Sequence, residues 1–406
     1  MGEKYFTEIG QVNIPEGKWV LVLPGWYPTW QDPFTGDFNQ RHVHAAGMHA
    51  AQVVLYIVKD QTGALGKNEI RYIQSSDKIV EIIIIYPARK NKIFDSVHSN
   101  LQFLHLLYKH ANIISENWGK PFLLHSYIVI RGGLAGLLLS KKFKVPFILS
   151  ENWTIYYPED PRFFKRRNGL FKAVVKQVFR SVDRFLPVTV DLQKKVESLF
   201  DPVPSTVIPN VVETGIFNRD IYRNKIKPFR FIHVSTMSYQ KNPEGLLRAF
   251  KKFNESNPGS TMWMVGPYPE AVPKYAQSVG LDDHLVHFTG SVSYREVSTL
   301  IKECEALVLF SRYENLPCVI LEALCCGLPI ISTSVGGIAE VIDNTNGVLI
   351  DNENEEQLAA ALSKVFTQYN TFNPPEISNL ATALYSYQSV GQSINNVYKE
   401  FENQGY

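Results

Sequence analysis

The chain has 406 residues, with 41 Lys and Arg against 39 Asp and Glu, a net charge of +2, 45% hydrophobic and 20% charged residues. At roughly 150 residues per domain this predicts two to three domains, and the balance excludes a disordered chain or a nucleic-acid binder driven by net charge. Its 25 glycines and 23 prolines are near the usual share, which excludes collagen-like and low-complexity architectures.

The first half reads as short apolar runs alternating with amphipathic stretches. Strands are expected at Trp19–Leu23, Gln52–Val58, Lys78–Tyr86, Phe122–His125, Pro146–Ser150 and Arg184–Val188, with helices around 39–50, 97–117, 132–143, 168–182 and 190–199. Near-continuous Val, Ile, Leu and Phe suits parallel strands buried on both faces. The turn-rich Asp201-Pro-Val-Pro-Ser and the charged stretch 218–228 mark a connection. The pattern then restarts, with strands at Phe229–Ser235, Thr261–Val265, Val286–Phe288, Ala306–Phe310, Pro329–Ser332 and Gly347–Ile350. Helices are expected at Pro243–Asn254, Tyr294–Lys302, 318–326 and Glu355–Tyr369, and a last one at 388–403 beyond Pro374-Pro375, detached from the second sheet. The fold class is α/β: two Rossmann-like doubly wound domains with a cleft at the strands' carboxyl ends. Expected domain limits are 1–208, 209–384 and a closing segment 385–406.

Cys304, Cys318, Cys325 and Cys326 share one 23-residue window without paired CxxC or His spacing for zinc. Free thiols in a reducing compartment, and no metal site, are expected. The start, Met1 to Phe6, lacks the apolar stretch of a signal peptide, and Phe6 stands where a myristoylation signal needs Ser or Thr. The apolar runs Ile79–Tyr86 and Leu123–Ser140 are broken by Glu81, or by His125 and Arg131, so neither reads as a bilayer span. A soluble cytoplasmic protein is expected, at most peripheral to a membrane's inner face.

Chemistry concentrates in Ser311 to Ile331. A strand runs into a loop carrying Glu314, Pro317 opens a helix, Glu322 lies about one turn in, and Gly327 ends it. Val319, Ile320, Ala323 and Leu324 form the apolar face, so Glu322 is expected to point away from it. Helix-start amides suit a diphosphate and carboxylates suit sugar or ribose hydroxyls, although two solvated surface glutamates would look the same.

The Glu314-to-Glu322 spacing, followed by Ala-Leu-Cys-Cys-Gly-Leu-Pro-Ile, closely resembles the signature of the retaining glycosyltransferases of family 4 (glycogen-synthase-like, group 1), which have the GT-B fold. Ser334-Val-Gly-Gly-Ile-Ala-Glu resembles their glycine-rich loop. Pro24-Gly-Trp-Tyr-Pro with Gly36-Asp-Phe, Pro209-Asn-Val-Val-Glu with Phe217, Lys241-Asn-Pro-Glu-Gly-Leu-Leu-Arg-Ala-Phe, and Tyr387–Tyr398 resemble further segments, in the family's order. The resemblance implies that Glu314 lies beside the donor sugar, Glu322 holds the ribose and Lys241 neutralises the departing diphosphate. It implies that the amides of Asn315, Leu316, Val335, Gly336 and Gly337 support phosphate or sugar. Gly36 would let the backbone approach the diphosphate, or would simply make the turn at Thr35-Gly36. The closing helix is expected to cross back onto the first domain.

Two departures stand out. No basic residue occupies Val234 to Gln240, where the family usually has an arginine; Arg312 is one candidate replacement. Ile148-Leu-Ser-Glu-Asn-Trp-Thr carries Asn152 where the family carries a histidine. Asn152 can hydrogen-bond a hydroxyl at the catalytic centre but cannot carry a proton near pH 7. His125 is a cleft candidate by position, or a histidine buried against the sheet. Trp26, Tyr27, Trp30 and Phe38 form either an acceptor platform or a small loop core. From Arg162 to Arg184 there are eight basic residues and one acid. They make a core-packed helix with a solvated basic face, or a docking surface for anionic lipid.

The sequence therefore implies a metal-independent, retaining enzyme without cofactor. It would move a sugar from a nucleotide-diphosphate sugar to a saccharide or lipid-linked saccharide, plausibly in surface polysaccharide biosynthesis, with no nucleic-acid partner. Two alternatives stay open: a catalytically silent GT-B nucleotide- or glycan-binding partner subunit, and a relative that isomerises or phosphorolyses sugars.

Overall fold

The structure is a computed structural model that describes residues 4–6, 8–13, 17–88, 92–219 and 228–402. Most of the charged stretch expected as a connection, 220–227, lies outside the described residues. The first sheet has eight strands: Lys4–Phe6 (β1), Trp19–Pro24 (β2), Ala51–Lys59 (β3), Glu69–Ser76 (β4), Ile79–Tyr86 (β5), Leu123–Tyr127 (β6), Phe147–Glu151 (β7) and Arg184–Pro187 (β8). Their order is β1-β4-β5-β3-β2-β6-β7-β8, and only β4 runs against its neighbours. In β2, Val20, Leu21 and Val22 are all fully buried, because helices cover both faces of a parallel sheet.

β1 and β4 were not expected from sequence. In β4 the apolar alternation is interrupted by Arg71, Gln74 and two serines, and most of its residues are half-exposed. It pairs with β5 through a tight turn at Asp77-Lys78, so this part of the sheet departs from strand–helix alternation.

The second sheet has six parallel strands: Phe229–Val234 (β9), Ser260–Val265 (β10), Val286–Gly290 (β11), Ala306–Leu309 (β12), Ile330–Thr333 (β13) and Gly347–Ile350 (β14). Their order is β11-β10-β9-β12-β13-β14. Two helices beyond expectation flank it, Ala271–Ser278 and Pro374–Tyr385. Pro374-Pro375, read as a break, opens the second of these, since proline's fixed φ and missing N–H suit a helix's first turn.

The chain crosses between domains twice, and the crossings touch: the Val212 amide donates to the Tyr385 carbonyl at 2.8 Å. The helix Tyr387–Glu402 then packs on the helix Asp37–Gly47 of the first domain. Val390, Ile394, Val397 and Tyr398 share one core with Val20, Val22 and Val43. Close approach requires Gly391, where a Cβ would fall 2.2 Å from the Ala45 carbonyl oxygen. No helix among the described residues is long and apolar enough to cross a membrane.

Candidate active site

Carboxyl ends of strands from both sheets face one cleft, which contains a cavity of about 750 Å³. On the first-domain side Asp37, Gln40, Arg41 and His44 form one stripe of the helix Asp37–Gly47. On the second-domain side the lining follows β9 (Val234, Ser235, Thr236), β10 (Gly266, Pro267) and β11 (Ser291 to Tyr294). In the second sheet β9 lies between β10 and β12, so its end marks the switch point where open α/β sheets take ligands.

Glu314 lies in the loop after β12, buried, and its carboxylate accepts from the Lys241 ammonium at 2.5 Å and from Gln240 Nε2 at 3.3 Å. Lys241 is carried by the turn before the helix Pro243–Ser256, where Asn242 adopts a left-handed conformation. A carboxylate and a cation therefore meet at the end of the second sheet.

Glu322 is not a solvated glutamate: it is 4% exposed. Tyr294 Oη donates to it at 2.7 Å, and the Arg41 guanidinium stands 3.7 Å away. Burial raises its carboxyl pKa, while Arg41 and the Tyr294 hydrogen bond oppose that rise. The neighbouring Cys318 thiol is pushed up to about 12 by burial and stays protonated.

The glycine-rich loop packs on the Glu314–Asn315 backbone. Gly336 has φ +56°, and a Cβ there would lie 2.1 Å from the Glu314 carbonyl oxygen. The Gly337 amide already donates to the Asn315 carbonyl at 3.0 Å, so its first use is structural. The amides of Asn315, Leu316, Val335 and Gly336 have no acceptor among the described residues. The Asn315 side chain accepts from Thr189 Oγ1 at 3.0 Å, which ties this loop to the first domain.

Asn152 follows β7, where the buried Glu151 carboxylate gathers the amides of Val129, Asn152 and Trp153. Asn152 Nδ2 donates to Asn210 Oδ1 at 3.1 Å, and Asn210 Nδ2 donates to the Leu316 carbonyl at 2.8 Å. The residue in the histidine's place is thus linked through Asn210 to the loop after Glu314.

Four sequence readings are corrected or decided by packing. His125 is no cleft residue: it is fully buried, stacked on Tyr127, with its ring nitrogens on Tyr398 Oη at 2.7 Å and Ser150 Oγ at 2.8 Å. Tyr27 likewise leaves the proposed platform, because its ring is buried and its hydroxyl donates to Glu81 at 2.8 Å. Trp26 remains in an aromatic group with Phe38 and Trp153, and Trp30 packs under Arg71. Gly36 has φ +76°, and a Cβ there would meet the Trp26 backbone at 2.4 Å, so loop packing accounts for the glycine. Arg312 is committed to Glu353 Oε1 at 2.7 Å, Asn242 Oδ1 at 2.8 Å and the Tyr239 ring, and does not replace the absent arginine.

Sequence reasoning missed Arg41, His44 and Tyr294. Gln40, Arg41 and His44 recur at helical spacing after Gly36, a signal legible only once that helix is known to face the cleft. His44 Nε2 lies 3.0 Å from the carboxylate of the buried Glu81.

Residues 216–375 match the model of the family "Glycosyl transferases group 1". Glycogen synthase of Mycobacterium tuberculosis is 25% identical over 255 residues, covering 59% of this chain and 58% of that protein. The putative teichuronic acid biosynthesis glycosyltransferase TuaC of Bacillus subtilis is 24% identical over 273 residues, 64% of each chain. The chain thus spans little more than half the length of the curated relatives it matches. Among solved structures, sucrose-phosphate synthase from Thermosynechococcus elongatus superposes with a TM-score of 0.75 at 14% identity, covering 96% of this chain and 100% of that one. HepE of Anabaena in complex with UDP superposes with a TM-score of 0.70 at 16% identity, covering 95% and 100%. The family's model thus matches the domain that carries Lys241, Glu314 and Glu322, and the superpositions show that the chain has the two-domain GT-B fold.

Proposed function

We propose that the protein is a retaining glycosyltransferase of family 4, transferring a sugar from a nucleotide-diphosphate donor to a saccharide or lipid-linked saccharide without a metal. The carrying observation is the paired arrangement Glu314–Lys241 and Glu322–Tyr294 at one end of the second sheet. In this reading the nucleoside occupies the cavity beside Gly266, Ser291 and Tyr294, its ribose on Glu322. The diphosphate lies between Lys241 and the start of the helix Cys318–Cys325. The bond between the sugar's anomeric carbon and the diphosphate oxygen breaks as the acceptor oxygen bonds the same face of that carbon. The acceptor's proton passes to the departing phosphate, whose charge Lys241 stabilises. Asn152 cannot take that proton, which is why the leaving group is assigned the task.

In this reading residues 162–184 dock the enzyme on an anionic lipid surface, where a lipid-linked acceptor would lie. Arg162, Arg180 and Arg184 are paired with Asp160, Asp201 and Glu400. Lys165, Arg166, Arg167, Lys172 and Lys176 have no acidic partner among the described residues, and Leu170 between them is 77% exposed. An apolar tip ringed by cations suits an anionic bilayer surface.

The test is isothermal titration of UDP, GDP and ADP, with and without EDTA, followed by donor turnover in wild type and Glu314→Ala. UDP comes first, because HepE was solved with it. One nucleotide bound regardless of EDTA, with turnover lost in the variant, supports the reading. Binding without turnover for any donor and acceptor tried would favour the silent-partner alternative; turnover without acceptor, or requiring free phosphate, would favour the isomerase or phosphorylase alternative.

A further inference from the structure

We propose that Arg41, in the first domain, is the second phosphate-binding cation of the cleft, held on Glu322 until the donor's ribose takes that carboxylate. The proposal rests on the donor-binding reading above and extends it to a residue no motif marks.

Charge counting motivates it. A diphosphate brings at least two negative charges, and the two second-domain cations beside Glu314 are already committed. Lys241 is held by Glu314, and Arg312 is turned away onto Glu353. Arg41 is held by Asp37 at 3.0 Å and approaches Glu322 at 3.7 Å. It lines the cavity while only 7% exposed, and its Nε has no hydrogen-bond partner among the described residues. A buried guanidinium with an unused donor is costly unless something completes its shell. Its Cζ lies over the Tyr294 ring, 4.9 Å from the centroid, and it reaches the Cys318 side chain at the first residue of the helix Cys318–Cys325. That helix start is where an anion is already favoured by free amides and the helix dipole.

The two pairs match in design. Glu314 and Glu322 are the carboxylates suited to the donor's hydroxyls, and each now holds a cation. When sugar and ribose hydroxyls satisfy the carboxylates, Lys241 and Arg41 are released to the two phosphates. Arg41 comes from the opposite domain, so its transfer to phosphate also couples nucleotide binding to the closed cleft. Of the groups facing it, Asp37 stays as its anchor, and Cys318 and Tyr294 are neutral.

The experiment is titration of the nucleoside diphosphate that wild type binds (from UDP, GDP and ADP) and of the matching nucleoside into wild type, Arg41→Gln and Arg41→Lys. Expected is a loss of tenfold or more for the diphosphate in Arg41→Gln, with nucleoside affinity within threefold of wild type, and an intermediate loss in Arg41→Lys. Equal losses for diphosphate and nucleoside would make Arg41 an interdomain tie only and overturn the proposal; so would unchanged affinities. If Arg41→Gln fails to fold, the diphosphate-to-nucleoside affinity ratio in Arg41→Lys decides, and an unchanged ratio overturns it. A wild type that binds none of the three diphosphates fails the donor-binding reading itself and takes the proposal with it, whereas intact binding that ignores Arg41 fails this proposal alone.

Discussion

Glu340 of the second domain reaches across the boundary to accept the amide of Val190 at 2.8 Å, with the next amide, Asp191, at 2.6 Å. A carboxylate thus sits on the start of the first-domain helix Val190–Glu197, complementing its dipole while Thr189 caps it locally. The same turn of chain holds Asn315 through Thr189, so the relative position of the domains and the loop after Glu314 are set together. Replacing Glu340 by Ala should cost about 1 kcal/mol, the usual worth of charge-assisted capping bonds. It should also broaden the interdomain arrangement. Urea denaturation and solution scattering check both; an unchanged midpoint and radius of gyration would show that the Glu340 contact does not hold the domains together.

Glu314→Gln should lower turnover by about 10²-fold or more, as removal of a preorganised charged group does. Nucleoside diphosphate affinity should stay within a few fold, since that ligand lacks the sugar. Lys241→Ala should weaken both. Single-turnover kinetics alongside titration separates the two effects.

If Glu322 holds the ribose, wild type should prefer a ribonucleotide to its 2′-deoxy analogue, and Glu322→Ala should abolish that preference. Tyr294→Phe, which deletes a 2.7 Å hydrogen bond to the carboxylate, should weaken nucleotide binding by roughly tenfold. A ribonucleotide preference that survives Glu322→Ala would place the ribose elsewhere.

Acid should destabilise the fold beginning near pH 6.5. Burial depresses His125 well below its ordinary value, and takes His42 to about 3 and His233 to about 4. All three are neutral in the folded state, while the unfolded chain takes up protons as pH falls through 6.5. Their stability contribution is complete above that pH and is lost as pH falls toward the folded values, by up to ~1.4 kcal/mol per histidine per pH unit. Glu151 and Glu322, raised by burial, act in the opposite sense and offset part of the loss. Denaturation midpoints at pH 7.5, 6 and 5 test this; a flat profile would refute it.

Charge reversal at Lys172 and Lys176 together should lower partitioning onto anionic vesicles by tenfold or more, at roughly 1 kcal/mol per basic residue near the surface. Leu170→Asp should act likewise, and binding to zwitterionic vesicles should be weak throughout. Co-sedimentation measures it. Wild type that ignores anionic vesicles would end the membrane assignment.

Local patterning determined the fold class. Runs such as Val20-Leu21-Val22 and Leu307-Val308-Leu309 are apolar at consecutive positions because both faces of a parallel strand are buried, and that signal survives without any partner in view. Glu314 and Glu322 stood out in the same way, since a loop and a following helix carry their geometry within a few residues, whereas Lys241 was picked out only by resemblance to a family segment. Strand β4 escaped because its pairing, not its composition, makes it a strand. Long-range packing decided the rest. His125 and Tyr27 looked like cleft residues until Tyr398, 273 positions away, and Glu81, 54 positions away, claimed their polar atoms. Arg41 went unnoticed in the sequence, and only the second domain sets Glu322 and Tyr294 against it. Such contacts join residues whose sequence separation carries no local signature. A side chain's polarity can be read in the sequence, but which groups satisfy it is decided only when the domains meet.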